Sequence, residues 1–109
     1  MDKIEILKIL DESFDIEDRD SAYSQVRFME IVNNLYTDNK KILKEIFEEW
    51  LFDYTRPHMQ AHSLIFIRNY HLSEFKSKVI NVREKLILND DSPVGKDLIK
   101  LIDDILKYL

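Results

Sequence analysis

Apolar residues recur at intervals of three and four along nearly the whole chain, which is the spacing of one face of an α-helix. The pattern divides into six amphipathic segments separated by short polar stretches. The breaks at Asp20-Ser21, Arg56-Pro57 and Ser92-Pro93 supply N-capping residues or a proline suited to the first helical turn. Ser92 in particular should cap the last segment. The periodicity therefore predicts an all-α fold of six antiparallel helices.

The six segments repeat in pairs with a period of 36 residues. The aligned core positions are Leu7, Leu43 and Val79; Leu10, Ile46 and Val82; and Phe14, Trp50 and Leu86. The three breaks recur at the same spacing. Three two-helix units of this kind predict a small α-solenoid that forms a single domain, residues 1–109. The pattern resembles degenerate HEAT-like repeats, most closely where Asn89-Asp90-Asp91-Ser92-Pro93-Val94 leads into a helix.

Composition narrows the class of protein further. A chain with one glycine and two prolines lacks the turn formers that a β-sandwich or barrel needs. Cysteine is absent, which excludes disulfides and thiolate ligands. The N-terminus has no signal-peptide pattern and no apolar run approaches the ~20 residues of a membrane span, so we expect a cytoplasmic protein without membrane contact. The net charge of −5 argues against nucleic-acid binding and favours a basic partner.

Candidate catalytic groups are sparse. His58 and His62 lie four residues apart on one helical face, but Met59 stands where a zinc hydrolase would carry its glutamate, and no third ligand has a fixed spacing. We expect these histidines to be solvated or to cap a helix. Adjacent carboxylates such as Glu48 and Glu49 point ~100° apart and cannot act as a dyad. The sequence thus predicts no enzyme activity, no metal and no cofactor.

Acidic residues concentrate in the loops within each unit, and stacked units place equivalent loops on the same edge. This predicts an acidic edge opposite a relatively basic one, where Lys76 and Lys78 lie. Part of the pattern follows from helix-end electrostatics, since acids favour helix starts. The rest suits a docking edge that steers a basic partner, with tyrosine and histidine as contact residues. The predicted partner-binding residues are Asp15, Glu17, Asp18, Asp20, Tyr23, Asp53, Tyr54, His58, Asp90 and Asp91.

By size, charge and architecture the chain resembles bacterial toxin immunity proteins, including those of contact-dependent growth-inhibition systems. The resemblance implies a monomer that binds one cognate toxin, a basic nuclease in many cases, and blocks its active site. Two alternatives remain open at the sequence level. One is a phage or mobile-element inhibitor of a nucleic-acid-binding enzyme, and the other is a helical-repeat scaffold or adaptor that binds through the concave helix face.

Overall fold

The computed structural model describes residues 1–14, 21–89 and 91–109, with side chains described outside 13–14 and 21–25. This part of the chain is all-helical and contains no strand, which confirms the fold class. It forms five α-helices rather than the six expected. They are α1 (Lys3–Phe14), α2 (Ser21–Leu51), α3 (Pro57–Asn69), α4 (Lys76–Asn89) and α5 (Pro93–Leu106), with a 3-10 turn at Ser73–Phe75 before α4.

The count differs because the second and third predicted helices form one helical run, α2. Asn39 interrupts the run with φ −133° and ψ 28°. Its side-chain amide donates a hydrogen bond to the carbonyl oxygen of Leu35 at 3.0 Å. The bond joins residues four apart, the same separation that a backbone hydrogen bond of an α-helix spans. The helical run α2 is therefore two helical stretches joined across a kink at Asn39.

Helix starts follow the repeat. α2, α3 and α5 begin at Ser21, Pro57 and Pro93, which are 36 residues apart. Ser92 is the N-cap of α5, as predicted, and its hydroxyl accepts a hydrogen bond from the backbone N–H of Gly95 at 3.1 Å. Pro93 occupies the first turn, where its missing N–H costs no hydrogen bond. Local capping chemistry therefore sets the start of α5, whereas α3 begins at Pro57 without a side-chain cap.

The chain divides into two compact units, Met1–Ile46 and Phe47–Leu109. In the first unit the buried apolar residues include Ile6 and Leu10 of α1 and Phe28 and Val32 of α2. Two apolar residues at helical spacing are nevertheless solvent-facing, since Ile4 is 79% exposed and Val26 is 57% exposed. The prediction of a single domain stays a prediction.

The second unit, residues 47–109, contains the end of α2 followed by α3, α4 and α5, and α5 packs against both α3 and α4. Part of its core consists of three aromatic side chains in contact. The rings of Phe47 and Phe66 stack at 4.2 Å between centroids, and Trp50 meets Phe47 edge-on at 5.2 Å. Trp50 is only 5% exposed, which confirms it as a core residue. Aromatic pairs in these geometries add to the free energy gained by burial.

Helices α3 and α5 run parallel. Residues from the first turns of both line one groove, and the rings of His71 and Tyr108, just beyond their C-terminal ends, lie 6.2 Å apart. Parallel helices place their preceding loops at the same end. We call this the loop end of the second unit: residues 53–56, residues 91–92 and the first turns of α3 and α5.

Helix α3 closes with a left-handed residue that is not glycine. His71 has φ 49°, the N–H of Leu72 donates to Ile67 O at 3.1 Å, and the N–H of His71 donates to Arg68 O at 3.2 Å. These bonds are the Schellman pattern, which satisfies the last carbonyls of the helix. Glycine usually holds this position, because a Cβ is strained there.

Candidate functional site

The predicted partner-binding residues fall into two groups. Four of them lie at the loop end of the second unit: Asp53, Tyr54, His58 and Asp91. The others lie outside the described residues or, for Tyr23, outside the described side chains: Asp15, Glu17, Asp18, Asp20, Tyr23 and Asp90. The structure thus brings together the members of the second and third predicted units. It does so because α3 and α5 are parallel and their preceding loops lie side by side.

Asp53 is bound within its own loop. Its Oδ1 accepts hydrogen bonds from the Thr55 N–H at 3.1 Å and the Thr55 hydroxyl at 2.5 Å, and its Oδ2 pairs with Arg56 Nε at 2.7 Å. The hydrogen bonds from Thr55 and then Arg56 lower the pKa of the Asp53 carboxyl below its usual range. An aspartate that accepts from the backbone two residues ahead forms an Asx turn. Asp53 therefore shapes the loop before α3, and Arg56 offsets its charge locally.

Tyr54 lies in a cavity of about 400 Å³ that Lys85, Leu86 and Asn89 of α4 also line. The tyrosine is 38% exposed, and Lys85 Nζ lies 5.7 Å from the centroid of its ring. Partial burial raises the pKa of the Tyr54 phenol above its usual value, so the hydroxyl keeps its proton at neutral pH. The residue presents an aromatic face and a hydrogen-bonding group together, which is the chemistry of an interface contact.

His58 lines a second concavity, a groove between α3 and α5 of about 270 Å³. The groove is lined mostly by apolar side chains: Pro57 and Ala61 from α3, and Val94, Leu98 and Leu101 from α5, with Asp97 as its carboxylate. Tyr54 and His58 therefore line two different concavities at the loop end.

His62, one turn after His58, is not the solvated histidine that the sequence suggested. Burial lowers its pKa to about 4, and the nearby His58 contributes in the same direction. The ring is therefore uncharged at neutral pH. Residues 1–14, 21–89 and 91–109 contain no group of three or more histidine, aspartate or glutamate side chains that could hold a metal ion.

Sequence reasoning missed several residues that the fold brings to this end. Lys85 and Asn89 reach the Tyr54 cavity from α4, and Asp97 reaches the groove from α5. Val94, Leu98 and Leu101 recur at helical spacing with Asp97 between them, which is a signal for one mixed face of α5. At the edge that was predicted to be basic, Lys78 pairs with Glu48. That ion pair reduces the basic character predicted for the helix start at α4.

No protein-family model matches this chain, and neither the curated proteins nor the solved structures give a significant match. Within the described ranges, none of the helices has the length and apolar character required to cross a lipid bilayer. The functional argument therefore starts from the loop end itself.

Proposed function

We propose that this protein is a bacterial immunity protein that binds a cognate toxin in the cytoplasm, one to one, and neutralises it. The toxin is a basic nuclease whose active site the acidic loop end covers. The observation that supports this proposal is that the loop end combines carboxylates with partly exposed aromatic and apolar side chains. It carries two exposed carboxylates, Asp91 and Asp97, and two half-exposed anchors, Tyr54 and Val94. Aromatic and apolar anchors beside charged groups are typical of interface hot spots.

The acidic groups would act on such a partner in two ways. A nuclease binds phosphates through a lysine and arginine surface, and carboxylates presented on a rigid scaffold are complementary to that surface. Opposite charges at the interface also steer the encounter and raise the association rate constant. Asp53 is paired with Arg56, so the carboxylates that remain for steering in the described part of the loop end are Asp91 and Asp97, next to the exposed Lys96.

Co-expression with the product of the adjacent upstream gene tests the proposal. The wild-type protein should form a stable one-to-one complex with that product and protect cells from it. The double reversal Asp91→Lys with Asp97→Lys should lower the association rate constant at least ~10-fold and weaken protection. The matched control is the double reversal Glu74→Lys with Asp104→Lys, which changes the net charge by the same amount at two exposed acids away from the first turns of α3 and α5. Equal rate constants for the double variant and the control would remove the acidic surface from the mechanism.

Two other functions use neighbouring features. A phage or mobile-element inhibitor of a nucleic-acid-binding enzyme would use the same acidic surface, and the captured partner distinguishes it from an immunity protein. A scaffold or adaptor would instead use the helix face, and the parallel pair α3 and α5, 36 residues apart in register, favours HEAT-like stacking. Capture of a multi-subunit assembly without protection from any toxin would support that function.

A further inference from the structure

The groove between α3 and α5 is lined by one small residue, Ala61, and by larger apolar side chains. Ala61 leaves room between the helices, while Leu98 closes the floor and is buried. Pro57 and Val94 also line the groove, and Val94 is 50% exposed although it is apolar. Exposed apolar surface beside a concavity marks an interaction site more often than an isolated exposed side chain does. The groove is therefore a preformed recess with an apolar lining.

Its volume of about 270 Å³ favours a single side chain as occupant. Pockets for small-molecule ligands span ~300–1,000 Å³ and enclose most of the ligand surface. This groove lies just below that range and is open along the helix face. An aliphatic or aromatic side chain from a partner could enter it and contact Ala61, Val94 and Leu101 together. Interface hot spots have this form, with one anchor in a desolvated recess.

The charges around the groove determine which residues of the partner can flank the side chain that enters it. Asp97 is exposed and is the only charged carboxylate or amine among the described lining residues. Lys96 and Lys100 point roughly 110–150° away from the groove direction around α5, at ~100° per residue. In the loop before α3, Arg56 is paired with Asp53, and His62 is uncharged at neutral pH. Asp97 is therefore the lining side chain with which a cation of the partner can pair.

We propose that the groove between α3 and α5 holds an apolar side chain of the partner and that a lysine or arginine next to that side chain pairs with Asp97. This inference rests on the proposed function, since it names the segment of a basic partner that the loop end recognises. The occupant is a short basic segment of a protein, with an apolar residue flanked by cations. An apolar residue among acids would be repelled by Asp97, and a cation alone would leave the recess unfilled.

Capped tripeptides test the recognition directly, without the toxin. Lys-Leu-Lys should shift the backbone amide resonances of residues 58–61 and 94–101 in a ¹⁵N-labelled sample, with saturation in the millimolar range. Glu-Leu-Glu and Lys-Gly-Lys should each bind at least ~5-fold more weakly, because the first lacks the cation and the second lacks the apolar anchor. Equal shifts from all three peptides, or shifts confined to other helices, would overturn the proposal.

Two variants connect the groove to its residues. Ala61→Trp should fill the recess and abolish the Lys-Leu-Lys shifts, and Asn81→Trp on the exposed face of α4 is the matched control for bulk. Asp97→Asn should weaken Lys-Leu-Lys at least ~3-fold and remove most of its salt dependence, while Asp104→Asn, two turns further along α5, should not. Circular dichroism and the thermal midpoint show whether each variant is folded. Lys-Leu-Lys binding to folded Ala61→Trp as tightly as to the wild type would exclude the groove.

Protection assays separate this inference from the function on which it rests. If the wild type and Asn81→Trp protect against the toxin and folded Ala61→Trp does not, the groove proposal and the immunity function are both supported. If Ala61→Trp protects as well as Asn81→Trp does, the groove proposal fails and the immunity function remains. If the peptides bind as expected but the wild type neither captures nor neutralises the upstream gene product, the groove remains and the immunity function fails.

Discussion

Protonation of His62 should destabilise the fold in mild acid. The imidazole is largely enclosed, its Nδ1 atom is buried, and its pKa in the folded state is about 4. In the unfolded chain the ring has its ordinary pKa of 6.5. The unfolded state therefore binds a proton below pH 6.5, whereas the folded state does not until about pH 4. Because the unfolded state binds more protons in this window, the stability contributed by neutral His62 is complete above pH 6.5 and is lost as the pH falls toward 4.

The magnitude follows from the two pKa values. Their difference, 6.5 minus about 4, corresponds to ~3.4 kcal/mol at 1.36 kcal/mol per pH unit. Part of the ring reaches solvent, which screens the charge, so we expect about half of this value. The His62-dependent loss in the free energy of unfolding between pH 7 and pH 4 should therefore be ~1–2 kcal/mol.

Urea unfolding of the wild type and of His62→Gln at several pH values from 7 to 4 isolates this contribution. Carboxylates titrate in both proteins, so the difference between the two curves belongs to the histidine. The wild type should lose ~1–2 kcal/mol more than His62→Gln on acidification, whereas His58→Gln, at an exposed position, should retain most of the wild-type dependence. Parallel curves for wild type and His62→Gln would refute the reasoning, as would an NMR titration that gives His62 a pKa near 6.5.

Three further changes test the packing of the second unit. Gln60 is 1% exposed, and its Nε2 donates a hydrogen bond to the carbonyl oxygen of Leu51 at 3.0 Å. Gln60→Leu should therefore lower the free energy of unfolding by ~1–3 kcal/mol in urea titrations. An unchanged midpoint would contradict this prediction. Phe66→Ala should cost ~3–5 kcal/mol because it removes a fully buried ring stacked on Phe47, with Phe66→Leu as the milder control. His71→Gly should raise stability by ~0.5–1 kcal/mol by relieving the left-handed backbone, and a lower thermal midpoint would show that the His71 ring contributes more than its backbone costs.

Local chemistry made part of the fold predictable. Ser92 and Pro93 specify a helix start through one hydrogen bond and one fixed φ, and neither depends on distant residues. The polar stretch Thr37-Asp38-Asn39 was ambiguous, because its side chains can cap the start of one helix or the end of another. The structure uses Asn39 to satisfy a carbonyl of the preceding turn. Sequence periodicity could not distinguish these two uses.

The core faces show a second limit of periodicity. In α1 both Ile4 with Leu7 and Ile6 with Leu10 have helical spacing. Burial selects Ile6 and Leu10, and leaves Ile4 exposed. An amphipathic helix defines an apolar stripe, but the packing partner decides which edge of that stripe is covered. The buried edge is therefore determined by tertiary packing, and the spacing of apolar residues in the sequence does not indicate it.

The loop end was predictable in position and less so in charge. A repeat of two helices requires equivalent loops to lie at one end once equivalent helices are parallel, and α3 and α5 are parallel in the second unit. Counting charges along the sequence, however, treats every carboxylate as exposed. The Asx turn uses Asp53 for the loop before α3, and the Glu48–Lys78 pair reduces the contrasting basic surface.

The acidic character of the described loop end consequently depends on fewer residues than the sequence suggested. Asp91 comes from the loop before α5, whereas Asp97 lies on the face of α5 that lines the groove with α3. A carboxylate on a packed helix is held more firmly than one on a loop, so it fixes the position of a partner's cation as well as attracting it. If the loop end binds a basic protein, Asp91 should act mainly on the association rate, and Asp97 should act mainly on the lifetime of the complex.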